Sequence, residues 1–245
     1  MMIFDQAGIS LVPFSPRLML SAACTAVVIT AAVVMACWPH QPLAAYVTAN
    51  DLPLAFFAAF SVSLIIQSYL NLRWGRGEMI EKDDYFHRKE DLSAPKRPVD
   101  FIPRGLTACA IHTALLASPF LPMLILGAAL SGVSLQAFTQ ALAVVVATSL
   151  LCRLAGVMVF LGQGKRSSLG YMASRCLLTA VVFGTLLFAP TINPIHILYR
   201  LQFDPDNLVK HSGYLYAAGV APAIFCLAIV NHWLAGRHPR EEAQR

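Results

Sequence analysis

LQAFTQALAVVVATSLLCRLAGVMVFL, residues 135–161, is apolar throughout except for scattered hydroxyls and amides and one charge, Arg153. A helix needs roughly 20 predominantly apolar residues to cross a hydrocarbon core of about 30 Å, and this run exceeds that. It is continuous, without the alternation of a lipid-facing barrel strand, so it reads as a spanning helix. Working outward, comparable runs lie at Leu18–Trp38, Leu52–Leu72, Leu106–Leu126, Leu169–Ala189 and Gly213–Leu234. The chain therefore reads as an all-α integral membrane protein. It is a bundle of about six transmembrane helices in a single domain over 1–245.

Composition supports the same class. The chain is 57% hydrophobic and 13% charged, with a mean hydropathy of +0.62, whereas soluble domains carry about 25% charged residues. Too few polar groups remain to cover a globular surface, so the bilayer serves as solvent. Lys and Arg set the orientation. Arg17, the cations of 73–104, Lys165, Arg166 and Arg237, Arg240 and Arg245 fall on one side, against Arg200 and Lys210 on the other. Both termini are expected in the cytoplasm, with the chain multi-pass in a bacterial-type inner membrane. The net charge of +5 is mostly this bias and does not argue for nucleic-acid binding. Asp5 and the late first cation, Arg17, predict an anchor rather than a cleaved signal. The six cysteines lie in or beside apolar runs with no C-x-x-C pair, which argues against a disulfide or zinc framework.

Against this apolar background stands a hydrophilic island, residues 73–104, expected as a cytoplasmic loop between the second and third spans. Its core is Asp83-Asp84-Tyr85-Phe86-His87-Arg88-Lys89-Glu90-Asp91. On a helix, Asp84, His87 and Asp91 share one face, and Asp83, His87 and Glu90 form the adjacent stripe. Carboxylates crowded in this way repel one another unless a cation neutralises them, and oxygen-rich clusters suit Mg²⁺. Asp83, Asp84, His87 and Asp91 are thus the candidate metal ligands. The next stretch stiffens at Pro95 and Pro98 and carries Lys96, Arg97 and Arg104. Acids for a metal followed by bases suit a diphosphate at the membrane surface. Lys96, Arg104, Lys165, Arg166 and Arg175 are the candidates to hold it.

The strings D-D-Y-F-H-R-K-E-D, A-P-K-R-P-V and I-P-R-G-L resemble the first signature of UbiA-type intramembrane prenyltransferases, in a shortened chain with a degenerate motif. Asp84 and Asp91 match the first and last Asp of that signature, Asp83 stands in place of its Asn, and Arg97-Pro98 match its R-P pair. His87 replaces the middle Asp, a second Asp-rich motif has no good copy, and the family's bundle has more spans than the six read here. The resemblance implies a polyprenyl diphosphate drawn from the bilayer and Mg²⁺-assisted diphosphate loss. Transfer of the prenyl group to a small acceptor would follow, with Asp84, Asp91 and Arg97 as catalytic residues.

Six spans with both ends inside and a polar loop after the second also resemble permease subunits of type-2 ABC exporters, including CcmB-like ones. There the island would dock on an ATPase, which must be a separate protein because the chain has no G-x-x-x-x-G-K-[ST]. A third reading is an accessory subunit of a larger membrane complex. In that reading His112 and His232, both inside spans, are possible haem ligands, although membrane histidines commonly bond a neighbouring helix. Arg153 and Arg175 also fall inside spans, where a charge marks function unless it snorkels to the headgroups. Gly156, Gly184 and Gly219 are candidate points of close helix contact.

Overall fold

The computed structural model describes residues 16–36, 53–76, 105–163, 168–203 and 211–242. In chain order the helices are α1 (Pro16–Ala36), α2 (Pro53–Gly75), α3 (Leu106–Ala117), α4 (Leu121–Leu130) and α5 (Leu135–Gln163). They are followed by α6 (Ser168–Thr179), α7 (Thr185–Phe188), α8 (Pro194–Phe203) and α9 (Ser212–Glu242). Among the described residues, four stretches are long and apolar enough to cross a membrane: Ala55–Gly75, Leu106–Leu130, Leu135–Gly162 and Ser212–Leu234. They coincide with four of the expected spans. Helix also occupies the other two expected positions, but the apolar stretches there are shorter, Ala23–Ala32 and Met172–Phe188.

Breaks in the helices follow from local chemistry. Pro119 and Pro122 each remove an N–H, and a short 3₁₀ turn at Ser118–Phe120 separates α3 from α4. α4 ends in a Schellman turn. Val133 N–H donates to the Ala128 carbonyl at 3.1 Å and Gly132 N–H to that of Ala129 at 3.3 Å. Gly132 sits at φ 62°, a conformation that favours glycine. The uncharged turn that follows is confined to 131–134 because the helix runs on to Leu130. Ser131 Oγ then accepts the N–H of Phe56 at 3.0 Å, which ties this turn to the first turn of α2.

α6 and α7 are joined by a π turn, Ala180–Gly184. Asn193, fully buried, closes the next corner. Its Nδ2 donates to the Val182 carbonyl at 2.9 Å and to Thr185 Oγ1 at 2.7 Å. Its Oδ1 caps α8 by accepting His196 N–H at 2.9 Å. α8 thereby folds back on α2 and α5 and buries Ile197, Leu198 and Leu201.

α5 is the central element and lies against α2, α3, α6, α8 and α9. α2 and α5 run side by side in the same direction. Phe60 meets Phe138 edge-on at 5.7 Å, and further along Gly75 meets the backbone of α5. Phe56, Phe60, Leu64, Phe120, Leu124, Val144 and Val145 fill the space between α2, the α3–α4 rod and α5. At the far end the α2–α5 contact is backbone on backbone. A Cβ on Gly75 would overlap the Arg153 carbonyl oxygen, and one on Gly156 would overlap that of Leu72. Gly156 is therefore a contact glycine, as expected. Gly184 has no neighbour closer than 3.8 Å and Gly219 none within 4 Å, so neither marks a helix crossing.

This difference is measurable. Gly156→Val should cost about 3 kcal/mol or more through overpacking and lower the thermal midpoint of the detergent-solubilised protein. Gly219→Val, in open space, should stay within about 0.5 kcal/mol of the parent.

Candidate functional site

Arg153 lies on α5 about 7 Å from the midpoint of its span, toward the Gly162 end, at about 1.5 Å rise per residue. Its exposure is 0%, so it does not snorkel. One guanidinium nitrogen, Nη1, donates to Asn71 Oδ1 on α2 at 3.2 Å. Nη2 lies 3.0 Å from His112 Nδ1 on α3. Arginine can only donate, so Nδ1 must be the acceptor and His112 is the neutral tautomer with its proton on Nε2. Thr113 Oγ1 donates to the same Asn71 Oδ1 at 3.1 Å. The Cys109 thiol also lies against the guanidinium.

The node is positioned by helix periodicity. Cys109, His112 and Thr113 stand at i, i+3 and i+4 on α3 and face the same way. On α2, Ser63, Gln67 and Asn71 recur every fourth residue and form a chain. Gln67 Nε2 donates to Ser63 Oγ at 2.7 Å, and Asn71 Nδ2 donates to the Gln67 carbonyl at 2.9 Å. All of these side chains are buried. A buried cation is costly unless paired, yet the partners here are neutral. Except for Glu241 and Glu242, every carboxylate of the chain falls outside the described residues. The four long apolar helices contain none over the stretches fit to span.

A second cluster of cations lies at the same end. Arg73 and Arg175 both approach the Tyr69 ring, with guanidinium carbons 5.5 and 5.9 Å from its centroid. Arg175 also donates to Ser174 at 3.2 Å. Arg76, at the end of α2, is 2% exposed.

Of the charged residues proposed from sequence for the site or noted inside spans, Arg175 and Arg153 are described. Asp83, Asp84, His87, Asp91, Lys96, Arg97, Arg104, Lys165 and Arg166 lie outside the described residues. His112, considered as a haem ligand, hydrogen-bonds a neighbouring helix through Arg153. His232 is half-buried on α9. Among the described residues, no group of three His, Cys, Asp or Glu side chains is placed to hold a metal ion. Asn71, Gln67, Thr113 and Cys109 were not anticipated. The signal for Gln67 and Asn71 was the polar repeat Ser63, Gln67, Asn71 in an apolar helix, and that for Cys109 and Thr113 their i−3 and i+1 spacing from His112 on α3.

Hydrogen bonds to a charged group contribute about 1.5–3 kcal/mol, and neutral ones about 1 kcal/mol. Asn71→Ala should therefore lower stability by about 2–3 kcal/mol, and Thr113→Val by about 1 kcal/mol. Denaturant or thermal melts in detergent would show whether that order holds. No family model, curated protein or solved structure matches this chain.

Proposed function

We propose that this chain is a permease subunit of an exporter driven by a separate nucleotide-hydrolysing subunit, similar to type-2 ABC permeases. In this proposal it has six spans, both termini lie on the cytoplasmic side of a bacterial-type inner membrane, and the island 73–104 is the docking surface. The supporting observation is the unequal anchoring of the two helices that carry the island. α2, which leads into it, is locked to α5 by backbone contact at Gly75 and Gly156. α3, which leads out of it, is held through side chains. Ala108 and Cys109 pack on Leu154, Val157 and Leu161, while His112 and Thr113 bond to Arg153 and Asn71. α3 ends in a proline-marked break. A push on the island would move α3 and leave α2 in place, so a docking partner could change the bundle's shape.

The second reading is a Mg²⁺-dependent prenyltransferase acting on a polyprenyl diphosphate. The gathering of Arg73 and Arg175 about Tyr69 favours it, because two cations at one end of a bundle suit an anionic headgroup.

One preparation separates the two. The protein purified in mild detergent from its native membrane should carry a stoichiometric partner with ATP hydrolysis. That partner should be lost when 78–100 is replaced by a Gly/Ser linker. Incubation with Mg²⁺ and labelled prenyl diphosphate should release no diphosphate. Release that depends on Mg²⁺ and disappears in Asp84→Asn and Asp91→Asn would replace the exporter reading with prenyl transfer.

A further inference from the structure

We propose that Arg153 is the centre of a membrane-embedded binding site for a phosphate group, and that the half-helix α3 covers it. The inference rests on the burial and bonding of Arg153 and not on the exporter reading.

The first observation is a mismatch of charge. Arg153 is fully buried, and the helical stretches around it contain no carboxylate. Neutral dipoles reduce the cost of a buried cation but supply no counter-charge. An intramembrane cation held in this way points to an anion that arrives from elsewhere.

The second observation is a mismatch of donors and acceptors. Nη1, Nη2 and the Thr113 hydroxyl share two oxygen or nitrogen acceptors, Asn71 Oδ1 and His112 Nδ1, with only the weakly accepting Cys109 sulfur beside them. Nε is buried without a hydrogen-bond partner. A group with three oxygens would supply the missing acceptors, and the guanidinium fork matches phosphate geometry.

The third observation is the way in. Cys109, His112 and Thr113 all belong to α3, while Asn71 and Arg153 belong to the locked α2–α5 pair. Swinging α3 about Ser118–Phe120 would remove one wall of the node and leave the other intact. α3 is short and apolar on its outer side, where Ile111 and Leu115 are exposed, so it can move through lipid without stranding a charge.

The test uses the full chain in maltoside detergent, which contains no phosphate. Retention of labelled inorganic phosphate and of labelled phosphatidate is measured against chloride at equal ionic strength. In a parallel sample Cys109 is the sole cysteine, and its alkylation rate reports on α3. Saturable retention should be seen, with Cys109 alkylation raised several-fold, and Arg153→Gln should abolish both responses. If that variant does not fold, Arg153→Lys and Thr113→Val should each weaken retention several-fold. A response to both probes identifies a general phosphate site, and a response to phosphatidate alone identifies the lipid headgroup as its source. Retention that survives Arg153→Gln, leaves Cys109 shielded, or fails to saturate would overturn the proposal. ATP hydrolysis by a partner is not read in this assay, so its outcome is independent of the exporter test.

Discussion

A guanidinium buried wholly inside the helix bundle constrains everything packed around it. Arg153 must find its hydrogen bonds inside the protein, and it finds them on two other helices, at Asn71 and His112. That requirement fixes the register of α2 and α3 against α5. It also fixes their spacing, because the Gly75 and Gly156 contacts lie at the same level of the bundle. A single methyl at either glycine would push α2 and α5 apart, and the 3.2 Å bond between Asn71 and Arg153 would open. Close approach and polar bonding are therefore one feature. Glycine gives up side-chain packing, and in return the buried charge gains a partner on α2.

The apolar packing on either side has a different role. Phe56, Phe60, Phe120, Leu124, Val144 and Val145 interdigitate at one end of the α2–α5 pair, and Ala108, Leu154, Val157 and Leu161 pack near the other. Lipid is as apolar as these side chains, so their burial gives helices little reason to associate in a bilayer. Shape complementarity and interhelical hydrogen bonds must supply it. Thr148 with Tyr216, at 2.8 Å, and Asn231 with the Leu154 carbonyl, at 3.0 Å, tie α9 to α5 in the same way.

Much of this was legible in the residues. Apolar run length located the helices, because bilayer thickness sets a length that few other constraints share. The turn after α4 carries no charge, and its glycine, Gly132, takes the positive φ. The first and fifth expected spans were less well defined, and a π turn interrupts the second of them at Ala180–Gly184. Arg153 was visible as an intramembrane charge, but its bonding was not. A polar side chain in a span can face a neighbour, a cavity or the headgroups, and sequence spacing gives its face without naming what lies opposite. The same ambiguity separated Gly156, which meets a backbone, from Gly219, which does not. The acids of the island that carried the family resemblance fall outside the described residues, so the resemblance and the buried node draw on different parts of the chain.

The shared direction of α2 and α5 has an electrostatic consequence. Peptide dipoles in neighbouring parallel helices add, and each C-terminus carries about half a negative charge. Two such termini end near Gly75 and Gln163, and the N-termini of α3 and α6, at Leu106 and Ser168 on the same end, offset them at a distance, so the negative field is confined to the last carbonyls of each helix. Arg73, in the last turn of α2, and Arg76, just beyond it, stand where they offset the local field of the α2 terminus. Part of the charge of these two arginines therefore answers the carbonyls in the last turn of α2, and an anion arriving beside that terminus feels less attraction than the number of arginines suggests.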